Sequence, residues 1–122
     1  MNPPELFHTR VRGRIEEIDF NKWNDLVRIA HILVFRKVGS LDALKRITAA
    51  GVREGNHDGK EGYHFVPELN ASIRGVDANL AWRISFQLAK SAGVPLLAQF
   101  EWRENSNAAF PGEKGYMEWK PT

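Results

Sequence analysis

A chain of 122 residues, 43% hydrophobic and 26% charged, holds enough apolar material for one core and not for two. Its formal net charge of +2 supports solubility more readily than nucleic-acid affinity, and the absence of cysteine excludes disulfides, thiolate catalysis and cysteine-ligated zinc. The longest apolar run, Ile32-Leu33-Val34-Phe35, falls far short of the ~20 residues of a membrane helix, and residues 1–7 lack a basic start leading into an apolar stretch, so a cytoplasmic protein with no membrane partner is expected.

In chain order, the first element is a strand over 6–18. Alternation in HTRVRGRI places His8, Arg10, Arg12 and Arg14 on one face and Thr9, Val11, Gly13 and Ile15 on the other. Such a stripe either tracks phosphates or keeps an exposed or edge strand from aggregating. With Glu16 and Glu17 following at once and no second basic block, we favour the latter. Residues 20–35 are read as a helix, capped by Asp19 or Asn21, with Phe20, Trp23, Val27, Ala30 and Val34 at a period of 3.6. Residues 28–37 also fit a buried strand. His31, among apolar neighbours, is expected to be a satisfied core histidine rather than a ligand or a base.

A second helix runs from Leu41 to Ala50, with Ser40 as N-cap and Gly51 as a left-handed stop. The segment Gly51 to Phe65 then crowds four glycines and two of the four histidines among charged side chains; we expect residues 53–62, with no apolar anchor before Tyr63, to be more mobile than the flanking elements, and a strand near 61–67. As a phosphate loop, Gly55 to Gly59 has one residue too few between its glycines and Glu61 in place of a Mg²⁺-binding hydroxyl. As a calcium loop starting at Glu54, it places Asn56, Asp58 and Gly59 well but Phe65 where a bidentate Glu is required. His57, Asp58 and His64 are good metal ligands by type, but their spacing forms no known set, and a third histidine would have to come from His8 or His31. No metal and no cofactor are therefore expected. Metal-free phosphodiester cleavage is the enzymatic reading: His57 and His64 as general base and acid, with Lys60 on the phosphate.

Residues 68–77 read as a connector. Arg74, with Asn70, Ser72 and Asn79, is a candidate anion site at the start of the next helix. That helix spans 78–92, capped by Asp77 and stopped by Gly93, with Leu80, Ala81, Ile84, Leu88 and Ala92 facing the core. Finally, Phe100-Glu-Trp-Arg and Met117-Glu-Trp-Lys echo one another. Pairing Trp102 opposite Trp119 puts Glu101 beside Lys120 and Arg103 beside Glu118, in a hairpin of 95–104 and 115–120. The two Trp rings then either cover the core or form an open face for a ligand or second subunit.

The sequence thus specifies one α+β domain over 1–122: a mainly antiparallel sheet with about three helices on one face. Its foremost functional expectation is a binding protein that uses a sheet face and polar loops, with Trp102, Trp119, Arg74 and Asn70 contacting a small molecule, a protein or a second copy in a homodimer. The alternatives are the ribonuclease-like phosphodiesterase built on His57, His64 and Lys60, and a weak nucleic-acid binder using Arg10, Arg12 and Arg14.

Overall fold

Strand alternation and helix punctuation account for most of the architecture. The computed structural model describes residues 5–121; the first four residues, part of the leader expectation, lie outside them. The elements run β1 (Thr9–Ile15), β2 (Ile18–Phe20), α1 (Trp23–Val38), α2 (Leu41–Ile47), β3 (Val52–Glu54), β4 (Tyr63–Val66), β5 (Ala71–Arg74), α3 (Ala78–Ala92), β6 (Leu96–Trp102) and β7 (Lys114–Trp119). The fold is α+β, as expected, but its strands form two antiparallel sheets rather than one. The larger has the order β2-β1-β6-β7 and the smaller β3-β5-β4.

The expected single strand over 6–18 is a hairpin. Glu16 adopts a left-handed φ of 54° and turns the chain, so that Arg14 faces Asp19 and Gly13 faces Phe20. His8, with φ 61°, precedes β1 and does not share the arginine face. Nor is β1 an edge: it lies between β2 and β6. Asp19 and Phe20 belong to β2, which removes Asp19 as a helix cap. Helix α1 starts at Trp23 behind Lys22, without a side-chain cap, and Asn24 instead exchanges two hydrogen bonds of 3.0 Å with the Val76 backbone. Residues 28–37 are helical, and Gly39, at φ 77°, closes α1 by donating its N–H to Phe35.

Ser40 caps α2 as expected, accepting the Ala43 N–H at 3.1 Å. The helix ends at Ile47 rather than Ala50, because Thr48 turns extended. Its hydroxyl accepts the Ala50 N–H and lies 2.7 Å from His31 Nε2. Gly51 is not the left-handed stop; its φ is not positive. His31 is fully buried. Its Nδ1 is 2.6 Å from the Val27 carbonyl, which can only accept, so Nδ1 carries the proton and Nε2 accepts from Thr48. Burial holds this imidazole below its ordinary value, the Val27 bond opposing the shift.

Helix α3 matches its expected span, with Asp77 accepting the Leu80 N–H at 2.9 Å and Gly93 left-handed at φ 69°. Ala81, Ile84, Leu88 and Ala92 are buried, but Leu80 is 42% exposed. Ala78 and Ala81 take the core-facing positions of that turn, leaving Leu80 on the solvent side. Helix α1 packs against α3, β1 and β2. The inward residues Val11, Ile15, Leu96, Ala98 and Phe100 of the larger sheet, and Val52, Val66, Ala71 and Ile73 of the smaller one, close one continuous core.

The hairpin register departs from the echo of the two Trp segments. Trp119 lies opposite Leu96, and Glu101 opposite Lys114, while the Trp102 N–H donates to the Glu113 carbonyl. The Trp residues share the inner face but sit at opposite ends of the hairpin, and Arg103 does not meet Glu118. Cross-strand charge pairs contribute only about 0.2–1 kcal/mol. Packing outweighs them: the Phe100 ring lies over Gly115, where a β-carbon would stand 2.7 Å from it.

Candidate functional site

The two polar regions singled out in the sequence meet different fates. In the smaller sheet, alternation turns Arg53, Tyr63, Phe65, Ser72 and Arg74 outward, and the segment between β3 and β4 folds back over that face. The buried Ser72 hydroxyl donates to the Gly55 carbonyl and accepts the His57 N–H, both at 2.8 Å. Asp58 accepts the Phe65 N–H on the outer edge of β4 at 3.0 Å. Arg53 stacks 4.6 Å over the Tyr63 ring and pairs with Glu61 at 3.2 Å. The loop, expected to lack an apolar anchor, is held by polar ones. Its polar groups are engaged with one another.

The loop histidines are held apart. His57 rests beside Tyr63, ring centroids 6.5 Å apart, with Nε2 at 2.9 Å from the Glu54 carbonyl. His64, one residue beyond Tyr63, points to the opposite face of β4 and has Asp58 at 4.0 Å. Lys60 is exposed and donates its backbone N–H to the His57 carbonyl. The geometry thus gives each imidazole its own partners and no shared locus for a phosphodiester. Among the described residues no three His, Asp or Glu side chains gather as a metal set.

The Arg74 pocket does not form either. Asn70 and Arg74 stand at opposite ends of β5, Ser72 is committed to the loop, and Asn79 Oδ1 accepts the Leu6 N–H at 2.6 Å. Asp77 already occupies the start of α3 with a carboxylate. Trp102 is only 5% exposed; its Nε1 donates to the Glu5 carbonyl, and Phe100 and Phe110 meet its ring edge-to-face at 5.2 and 5.1 Å. It is core, not a ligand contact.

The larger sheet is built the opposite way. Its helices cover one face, and the other carries three cross-strand rows set by the registers: Asp19-Arg14-Leu97-Glu118, Arg12-Gln99-Tyr116 and Arg10-Glu101-Lys114. A groove of about 560 Å³ runs along the last two rows. Tyr116 stands in it 70% exposed. Arg14 is engaged by Asp19 at 2.8 Å, a bond that lowers the carboxyl of Asp19 below its ordinary range. Arg10, Arg12 and Lys114 form no ion pair among the described residues. The arrangement offers three cations, an amide and a flat ring on an open sheet face.

Of the sequence candidates, Arg10 and Arg12 belong to this site, and Arg14 lies at its margin. Gln99, Lys114 and Tyr116 were missed. Alternation of Lys114, Tyr116 and Glu118 against Gly115, Met117 and Trp119 was the signal that could have found Lys114 and Tyr116. Compared with known proteins, the chain matches no family model, no curated protein and no solved structure.

Proposed function

We propose that the protein is a binding protein rather than an enzyme, and that the open face of its larger sheet takes an anionic ligand bearing a planar ring. Nucleotides and single-stranded nucleic acids share that chemistry. The observation that carries the reading is the row Arg12-Gln99-Tyr116 beside Arg10 and Lys114. A ring stacks on Tyr116, Gln99 offers both a donor and an acceptor to its edge, and the unpaired cations attract phosphate. Two guanidinium groups suit such anions because each presents a planar fork of N–H donors to phosphate oxygens, and the ammonium adds a compact charge. Glu101 among them disfavours dense phosphate tracking and favours a short contact.

Fluorescence anisotropy with labelled single-stranded RNA and DNA, with free nucleotides as competitors, tests this and separates the two sources of the ligand. Tyr116→Ala is expected to weaken binding by about 1–3 kcal/mol per stacked base. The Arg10→Ala/Arg12→Ala pair should flatten the salt dependence by about 1.4 units on a single strand. Absence of binding to either class at low salt, or binding indifferent to all three residues, would overturn the reading.

A further inference from the structure

Strand β7 is the longest sheet edge left unpaired among the described residues, and its hydrogen-bonding groups are assigned by the structure. The Arg103 N–H donates to the His8 carbonyl and the Glu16 N–H to the Pro95 carbonyl, so the odd-numbered residues of β6 bond to β1. The even-numbered ones bond to β7, as the Trp102–Glu113 bond shows directly. Their partners are Gly115, Met117 and Trp119. Antiparallel alternation then turns the N–H and C=O groups of Lys114, Tyr116 and Glu118 toward the free edge.

We infer that this edge pairs with the same edge of a second copy, antiparallel, with Tyr116 opposite the partner's Tyr116. The register is selected by charge. Lys114 then faces the partner's Glu118, and Glu118 the partner's Lys114, while the three residues on each side exchange about six main-chain hydrogen bonds. A one-residue slip would set outward side chains against inward ones and is excluded by the pleat. A two-residue slip in one direction opposes Lys114 to the partner's Lys120, and in the other it leaves Glu118 facing the partner's Gly112. Neither is complementary.

A second feature points to the same occupant. The inner side of β7 is only partly covered: Met117 and Trp119, with Trp82 and Phe86 of the neighbouring α3, are half-buried at the margin of the core. In the Tyr116-centred register Met117 lies beside the partner's Gly115, and the apolar margins of both copies meet under the joined strands. By contrast, the other sheet's β4 edge already has its Phe65 N–H taken by Asp58, and β2 and β3 are each 3 residues long.

The two-fold axis of such a pair is perpendicular to the sheet, so both open faces lie on one side. Two four-stranded sheets become one, with two Arg10/Arg12/Lys114 groups flanking a central tyrosine pair. The pairing stands on the edge geometry, the charge register and the apolar margin, and does not depend on the ligand reading.

Sedimentation velocity over a concentration series, with circular dichroism to verify folding, tests it. The unaltered chain is expected to show a concentration-dependent dimer. Glu118→Lys sets an ammonium against the partner's Lys114, and Lys114→Glu sets a carboxylate against the partner's Glu118. Each should weaken self-association by about tenfold or more. An equimolar mixture of the two variants restores opposite charges at every position and should dimerise again. A monomer at all concentrations would overturn the inference and leave the edge to a strand of another protein. A dimer indifferent to both reversals, or variants that fail to rescue each other, would overturn the register.

Discussion

The larger and smaller sheets are made from similar materials. Each is antiparallel, closes on the same core with its aliphatic face, and presents arginine and tyrosine on its outer face. They differ in what happens to those outer groups. The smaller sheet carries its own cover: the loop between β3 and β4 is bonded through Ser72 and Asp58, and Arg53 and Tyr63 engage each other. The larger sheet has no chain segment among the described residues over the Arg10, Arg12 and Tyr116 face. Density of polar residues in the sequence pointed to the first region, while availability of those residues in space points to the second. A polar group that has already found its partner within the fold is structural, whatever its chemical type.

The core shared by both sheets gives the largest effect. Leu88, fully buried on α3, belongs to the one core that both sheets join, and Leu88→Ala is expected to cost about 2–5 kcal/mol. Urea unfolding followed by tryptophan fluorescence, which reports on the larger sheet and the helices α1 and α3, and by amide exchange in β5 should shift together. If only one sheet lost stability, the common core would be two.

The cover on the smaller sheet is tested by Ser72→Ala. That change leaves the Gly55 carbonyl and the His57 N–H without their partner and should cost about 1–3 kcal/mol. Amide exchange should accelerate at residues 55–62 more than in β6. Equal protection before and after would mean that the hydroxyl does not hold the loop.

The smallest effect concerns the helix layer beneath the sheets. The His31 imidazole is held below its ordinary value of 6.5 by burial, so the unfolded chain binds a proton that the folded one resists. Its contribution to stability is complete above about pH 6.5 and is lost as the pH falls below it. In His31→Leu, which cannot titrate, the urea midpoint should be flatter between neutral and mildly acid pH, though lower at neutrality for want of a partner to Thr48. A parallel decline in both proteins would assign the acid sensitivity to other groups.

Those features that depend on neighbours in the chain were legible in the sequence. Ser40 and Asp77 cap their helices, Gly93 stops α3, and His31 is the satisfied core histidine its apolar surroundings implied. The alternation in β1 placed Arg10, Arg12 and Arg14 on one face, because a strand's period of two is written into it whatever it pairs with. The features that depend on distant partners were not legible. Strands of 3 or 4 residues such as β3 and β5 are too short to show a period, and they exist only because each completes the other's hydrogen bonds. The expected Trp102–Trp119 register followed charge pairs, whereas the fit of Phe100 over Gly115 decided the pairing that forms.

The sequence by itself therefore determined the approximate place of the helices, the start of α2 and both ends of α3, the class of fold and which face of β1 is charged, since these follow from φ preferences, capping and periodicity within a few residues. Only the tertiary structure decided which polar groups remain free. Ser72, Asp58 and Glu61 engage the loop richest in polar side chains, and Arg12, Gln99 and Tyr116 come into one row from three strands, the first of them far from the other two along the chain. Hydrogen bonds and ion pairs are short-ranged, so whether a side chain is free depends on what the whole chain brings within a few ångströms of it.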